Sequence, residues 1–452
     1  MPVANIRRVV ITGLGTVSPL GNDVASFWKT LISGQSKIQA LKEFKLPKHL
    51  AYGAKVKNHK NKMIGKMYRP YLDRALKFGI NAANEAYANA KLNITNDIEN
   101  NYGRYGTYIG STTGGIDSVF FMAKNYFLRG INNMFSEFVY SLFTSGKPIP
   151  LSRTALVAKF RADVSAKNII WRFSPGYWSS MLAHFFKFDG PVEAYCSSCY
   201  SGGESFGNAY RQIKEGIVDV ALVGGLDAPI VINNCLSFMI LGAASKWNGK
   251  ASESCRPFSI DRSGMVFGEG AAFFILEELE HALKRNVKIH AEVLGYGSTS
   301  DGVHMVAPDE SGERYSFAIK QAIKEAKISA NEIDYVSCHG TGTLANDKIE
   351  TLAIKKTFGK HAYKMSLNSI KSMIGHGFGA ATALEILNTI RVLNTKIVPP
   401  TINFGGYDPD CDLDYTFNQA RILTKCNYAL KIASGFGGTN LALVLKNWEC
   451  HE

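Results

Sequence analysis

One feature constrains the fold of this chain more than any other: a series of turns that occurs twice, in the same order. A strand-like run, "RRVVITGLG", leads into "GTVSPLGND" (Gly15 to Asp23), and much later "IDYVSCHG" leads into "GTGTLANDKIE" (Gly340 to Glu350). Each half then sets a Gly/Ser-rich turn before a helix-like stretch, "YCSSCYSGGESFGNAYRQIKEG" in one and "NSIKSMIGHGFGAATALEILNTI" in the other. A Gly-rich turn beside a strand follows in each, "VALVGGLDAPI" and "IASGFGGTNLALVL". Strand-like runs alternate with helix-like segments throughout, which is α/β patterning. The order predicts two like halves, residues 1–280 and 281–452, whose matching turns converge at the junction, a usual place for a pocket.

Composition removes several function classes. With 452 residues, 46% apolar and 20% charged, the chain is globular and buries a core without disulfide staples. Of eight cysteines only Cys196 and Cys199 are closely spaced, which suits a reducing compartment. The N-terminal stretch lacks an uninterrupted apolar region, and no apolar run reaches the roughly 18 residues that span a bilayer. A cytoplasmic location is the expectation. The formal charge of +13 would attract nucleic acid, an anionic membrane or an acidic protein. No zinc-knuckle or RNP-type signature accompanies it, so nucleic acid is the least favoured partner. The densest basic cluster, Lys55 to Arg69, is either a solvated loop or a docking surface. Residues 120–188 are crowded with aromatics, among them Phe135, Phe138, Tyr140, Phe143, Trp171, Phe173, Tyr177 and Trp178. Core plus subunit interface is the expected role, because such a segment cannot stay in water.

The stretch "AYCSSCYSGGESFG" carries the candidate chemistry. A zinc site needs a second cysteine or histidine cluster, and no second C-x-x-C exists. A redox pair expects a thioredoxin-sized context near the N-terminus. The remaining reading is one nucleophile, Cys199, at a helix N-terminus. Unpaired N–H groups and the positive dipole end there are expected to lower a thiol pKa from about 8.5. Cys196, on the strand side, is expected to be a packed bystander. A nucleophile needs a proton acceptor or electrostatic partner. Two histidines in Gly-rich turns, His339 and His376, are candidates. Lys371 and Glu385 flank His376 and could form an ion pair that tunes them.

These residues carry a resemblance. "RRVVITGLGTVSPLGND", "SSCYSGG", "RPFSIDRSGMVFGEGAA", "HGTGTLANDKIET", "SIKSMIGHGFGA", "VPPTINF", "CDLDY" and "SGFGGTN" occur in the order of the blocks of β-ketoacyl-acyl-carrier-protein synthases. The chain resembles that family over nearly its whole length. The resemblance implies a thiolase-like duplicated five-layer α-β-α-β-α fold. It implies that Cys199 takes an acyl group from a carrier-protein thioester. His339 and His376 would hydrogen-bond the malonyl thioester carbonyl and stabilise the enolate left by decarboxylation. The N–H groups of Cys199 and Phe436 would form a second oxyanion hole. Lys371 and Glu385 match the supporting pair, and Thr341 and Thr343 match contacts to the phosphopantetheine arm. No metal or redox cofactor is implied. Acyl carrier protein is the implied partner, docked through basic residues such as Lys62, Lys66 and Arg69. A dimer is implied, either with itself or with a chain-length-factor homologue.

Within the family, "GLDAPI", "NDKIET" and "SGFGG" resemble the ketosynthase subunit of type II polyketide synthases. Ser434 points the same way, since fatty-acid synthases typically carry phenylalanine there. A fatty-acid-elongating 3-oxoacyl synthase is the alternative. A silent chain-length subunit is disfavoured because Cys199, His339 and His376 are all present. A degradative thiolase is disfavoured because "SGFGGTN" has no cysteine. Three departures stand out: Tyr200, expected to narrow the pocket; Ser263, where aspartate is common; and a Gly110–Gly190 span longer than usual by roughly 30 residues. That aromatic-rich insert is expected at a subunit interface or the acyl channel.

Overall fold

The computed structural model describes residues 7–44, 52–57, 59, 72–93, 102–122 and 169–450. Among the described residues ten strands form one mixed sheet. The first half supplies β1 (Val9–Val17), β2 (Tyr105–Gly110), β3 (Val192–Tyr195), β4 (Val220–Asp227) and β5 (Gly270–Glu278). The second supplies β6 (Ala291–Ser300), β7 (Tyr335–Ser337), β8 (Ser366–Asn368), β9 (Tyr428–Gly435) and β10 (Thr439–Asn447). Read outward from the centre, the first half runs β1-β5-β4-β2-β3 and the second β6-β10-β9-β7-β8. Each half thus uses its strands in the order first, fifth, fourth, second, third. Strand directions repeat as well: the first two pairings are antiparallel and the last two parallel. Antiparallel β1 and β6 join the halves. The duplication is present in the topology, but one of the expected turn pairs is not: the turns after β3 and β8 and those after β4 and β9 correspond, whereas "GTVSPLGND" follows the first strand of its half and "GTGTLANDKIE" the second strand of the other.

Helices α1 (Arg74–Asn89) and α2 (Pro175–Phe186) cover the outer face of the first half-sheet. Helices α5 (Glu313–Ala326) and α6 (Leu344–Phe358) lie on the outer side of the second half. Between the half-sheets lie α3 (Ser201–Lys214) and α7 (Gly379–Thr395), in contact with each other and with strands of both halves. The result is the five-layer α-β-α-β-α thiolase-like fold. A further helix, α4 (Ile232–Ile240), follows β4.

The same local device seats an outer helix on each half. Gly13 and Gly15 of β1 lie so close to α1 that an added Cβ would sit 2.2 Å from the Ala86 carbonyl oxygen and 2.0 Å from that of Ala82. Gly295 and Gly297 of β6 meet α5 likewise, 2.1 Å from Ala322 O and 2.0 Å from Ala318 O. Glycine pairs on the strand and alanine pairs on the helix let two backbones meet where any side chain would clash. Every residue of β1 and of β4 is buried, as befits strands covered on both faces.

Between residues 123 and 168 the aromatic-rich segment lies outside the described residues; its later part is described from residue 169 onward. There Trp178 is fully buried under α2, and its indole N–H donates to the Arg172 carbonyl at 2.9 Å. Trp171 and Phe173 remain exposed. Phe135, Phe138, Tyr140 and Phe143 lie outside the described residues, as do Lys62, Lys66 and Arg69.

Candidate active site

Cys199 sits in a single 3-10 turn, Ser198–Tyr200, between β3 and α3. The elbow is sharp: Ser198 has φ +62°, a left-handed conformation that costs a non-glycine residue roughly 1 kcal/mol or more. Hydrogen bonds impose it. The Thr112 and Ser201 hydroxyls both donate to the Ser198 carbonyl at 2.6 Å. Thr382 of α7 donates to the Cys199 carbonyl at 3.2 Å.

The thiol is buried, and burial pushes it up to about 11. The Ser198 hydroxyl, Lys371 and the Phe436 backbone N–H pull the other way without overcoming it. This reverses the expectation of a lowered thiol pKa: loss of water outweighs the helix terminus. Cys196 is also placed differently from expectation. It is exposed, because β3 is the edge of the sheet. Tyr200 does not narrow the cavity. In a 3-10 turn successive side chains point about 120° apart, so Tyr200 enters the core, its hydroxyl 3.5 Å from Glu204.

The two histidines arrive from the second half. His339 follows β7, and His376 follows the short helix Lys371–Ile374. The His376 N–H donates to Val266 O at 2.6 Å and its carbonyl accepts from Gly268 at 2.8 Å, which stitches it to the first half. The two rings meet edge-on with centroids 5.4 Å apart. Both are buried, and burial, then the positive charge of Lys371, holds each imidazole well below its ordinary range. Both are therefore neutral. The Phe378 N–H donates to His376 Nδ1 at 3.2 Å, and Lys371 Nζ donates to His339 Nδ1 at 3.3 Å. With each Nδ1 accepting, the proton of each neutral ring sits on Nε2. The pair presents two N–H donors.

Lys371 and Glu385 form a fully buried ion pair, and Lys371 also donates to the His339 carbonyl. Thr341 and Thr343 share a hydrogen bond of 2.8 Å. Cys199, His339, His376, Thr341, Thr343 and Phe436 all line one cavity of about 570 Å³. Phe436 follows Gly435, where an added Cβ would lie 3.3 Å from the Cys199 nitrogen. The Phe436 N–H is directed at the Cys199 thiol.

Residues 6–282 match the beta-ketoacyl synthase N-terminal domain family, and residues 290–405 match the C-terminal domain family. The chain belongs to the beta-ketoacyl synthase family. Its members are acyltransferases that form carbon–carbon bonds. The chain is 35% identical to 3-oxoacyl-[acyl-carrier-protein] synthase 2 of Coxiella burnetii, over 97% of this chain and 98% of the relative. It is 33% identical to a putative polyketide beta-ketoacyl synthase 1 of Streptomyces halstedii, over 97% and 98%. A solved type II polyketide-synthase ketosynthase, in complex with its acyl carrier protein and bound to a hexaketide, superposes with a TM-score of 0.79. That match has 29% identity and covers 98% of this chain and 100% of the other.

Four residues of this beta-ketoacyl synthase were not singled out from the sequence. Asp227 accepts from Ser111 Oγ (2.7 Å), Thr112 N (2.8 Å) and Gly379 N (2.7 Å), pinning the N-terminus of α7 to the first half. Glu350 accepts from the N–H groups of His339 (2.5 Å) and Gly340 (2.8 Å). Asn346 accepts from the Ser434 hydroxyl at 2.9 Å on the cavity wall. Lys431 shares the Glu385 carboxylate with Lys371. The available signal was a polar residue inside a motif or an apolar strand, such as the lysine in "YALKIASG". Ser263, noted as a departure, also lines the cavity, and its hydroxyl accepts the Lys246 N–H at 3.2 Å. Among the described residues no helix is long and apolar enough to cross a membrane.

Proposed function

We propose that this chain is a type II polyketide ketosynthase that extends a Cys199-bound acyl chain with malonyl units carried on acyl carrier protein. The observation that carries the reading is the pair of neutral Nε2–H imidazoles sharing one cavity with a buried thiol. Attack of the Cys199 sulfur on an acyl-carrier thioester forms the acyl-cysteine bond, and the thiol proton leaves with the carrier's sulfur. The Cys199 and Phe436 N–H groups stabilise the oxyanion of that transfer. A malonyl thioester then places its carbonyl oxygen on His339 and His376. Loss of carbon dioxide leaves an enolate whose charge these donors stabilise. A neutral donor pair suits this step, because an imidazolium would protonate the enolate carbon before it reacts. The enolate carbon attacks the acyl-cysteine carbonyl. The carbon–sulfur bond breaks, and the released sulfur takes up a proton.

Thr341 and Thr343, on the cavity wall, suit contact with the phosphopantetheine arm. The reading requires no metal or redox cofactor, since decarboxylation drives the bond formation. Lys62, Lys66 and Arg69 are the candidate docking residues for the acidic carrier. A dimer, with itself or with a chain-length-factor homologue, and a cytoplasmic site of action belong to the same reading. The aromatic-rich segment is assigned to a subunit interface or the acyl channel. Ser434, hydrogen-bonded to Asn346 beside the cavity, favours polyketide over fatty-acid extension, because it leaves the wall polar where phenylalanine would make it apolar. The 35% identity to a 3-oxoacyl-carrier-protein synthase 2 keeps fatty-acid elongation as the second reading.

Intact-mass analysis tests this. Wild-type protein and Cys199→Ala are each incubated with acyl- and malonyl-carrier protein, alone and with a candidate partner subunit. An acyl adduct on wild type alone, with a lengthened β-keto product on the carrier, is expected. An adduct on both proteins, or none under either condition, overturns the assignment. A fully saturated acceptor preference would select the fatty-acid reading.

A further inference from the structure

Two side chains on the cavity wall, Ser434 and Asn346, are oriented by the groups behind them. Ser434 lies in β9 beside Gly435, where an added Cβ would stand 3.3 Å from the Cys199 nitrogen. Asn346 lies in the first turn of α6. Both line the cavity that holds the thiol and the two histidines. The Ser434 hydroxyl stands 2.9 Å from Asn346 Oδ1. On the far side, Asn346 Nδ2 lies 3.1 Å from Asp347 Oδ1 and 3.3 Å from Glu350 Oε2, both buried. Each of those oxygens already accepts a backbone N–H, from Gly342 at 3.2 Å and from Gly340 at 2.8 Å. A flipped amide would set its oxygen against two other oxygens. The two N–H bonds of Asn346 are therefore engaged inward, and Oδ1 faces Ser434. An amide oxygen only accepts, so the Ser434 proton is engaged too. What faces the cavity is the Ser434 oxygen with its lone pairs. Among the described residues no other group donates to it.

We infer that this wall is an acceptor site for a neutral hydrogen-bond donor of the substrate: Ser434 is the contacting group, and Asn346 is the positioning residue that turns its proton away from the cavity. This rests on the reading of Cys199 as the acyl acceptor, since a thioester at the thiol is what brings a donor within reach. Two donors lie close to such a thioester. The last amide N–H of the carrier arm is two carbons from the sulfur. The enol O–H of a β-keto chain is on the third carbon of the acyl group. A saturated chain offers none. A donor placed here completes a hydrogen bond, whereas a carbonyl or carboxylate oxygen meets lone pairs and leaves them unsatisfied. A polar wall by itself would admit any polar group, but the orientation set by Asp347 and Glu350 selects donors.

The test compares dissociation constants, by NMR titration of the Cys199→Ala protein, which binds thioesters without transfer. Hexanoyl and β-ketohexanoyl thioesters of N-acetylcysteamine differ in the chain donor. Hexanoyl thioesters of N-acetylcysteamine and of mercaptoethyl acetate differ in the arm N–H, which an ester oxygen replaces. In at least one pair the donor-bearing member should bind more tightly by roughly two- to tenfold, the net worth of one hydrogen bond. Adding Ser434→Ala should erase that preference. Ser434→Thr keeps an oxygen there and should retain it. Asn346→Ala frees the Ser434 proton and should weaken it. Erasure in the first pair assigns the site to the acyl chain, and erasure in the second assigns it to the arm. Ratios that Ser434→Ala leaves unchanged in both pairs overturn the inference. Each ratio compares two ligands on one protein, so a share of unfolded protein cancels. If Ser434→Ala does not fold, Asn346→Ala takes its place, and ratios unchanged there overturn the inference equally. Protein with Cys199 intact is treated with the same thioesters. Failure to form any acyl adduct would sink the condensing function, while the binding ratios still decide whether the wall selects donors.

Discussion

The buried Cys199 thiol sets two physical effects against each other. A helix N-terminus stabilises thiolate, whereas removal from water destabilises it. In this structure burial wins and lifts the thiol to about 11, against about 8.5 for a free cysteine. At pH 7.5 the thiolate fraction is then roughly 3 in 10⁴, compared with roughly 1 in 10 for the free thiol. The resting enzyme should react with iodoacetamide on the order of 10² times more slowly than the free-thiol pKa would give. More telling is the shape of the profile, which does not depend on access. Alkylation of Cys199, read by peptide mass spectrometry from pH 6 to 10.5, should rise about tenfold per pH unit through pH 10 without a plateau. Exposed Cys196, in the same digest, serves as the internal comparison. A plateau below pH 9 would show that the elbow's N–H groups and Lys371 outweigh burial, and the argument would fall.

Two further outcomes follow from the geometry. His376→Ala removes one of the two donors, so malonyl decarboxylation should fall by roughly 10²–10³-fold while the Cys199 acyl adduct still forms by intact mass; loss of both steps together would deny His376 a separate role. In the middle layer, a Cβ on Gly202 would sit 2.5 Å from Gly379 O and 3.1 Å from Gly225 Cα. Gly202→Ala should therefore lower stability by about 1–3 kcal/mol in a denaturant titration, and an unchanged midpoint would refute the packing argument.

The sequence announces some of this site because local chemistry dictates it. Glycine is needed where β1 meets α1 and where β6 meets α5, so the duplication is written as recurring glycines that survive without any side-chain contact to read. The elbow at Cys199 requires small residues after it, and "YSGGES" supplies them. His339 and His376 were legible as candidates because each stands beside glycine at the end of a strand or short helix. The choice of tautomer was not legible. It depends on Lys371 and on the Phe378 N–H, which reach the rings only after folding.

What the sequence determined alone was the order of strands, turns and helices, the two-half plan and the identity of the groups able to do chemistry. These follow from backbone sterics and apolar patterning, which act over a few residues. Tertiary structure alone decided the protonation and the pairing. Cys199 is pushed up and the histidines down because water is excluded by layers distant in sequence. Lys431 and Glu385 lie 46 positions apart and Asp227 and Gly379 lie 152 apart, yet each pair is in contact. Tyr200 left the cavity and Cys196 reached the surface for the same kind of reason. A side chain's surroundings depend on which elements pack against it, and charge and burial act through space without regard to chain order.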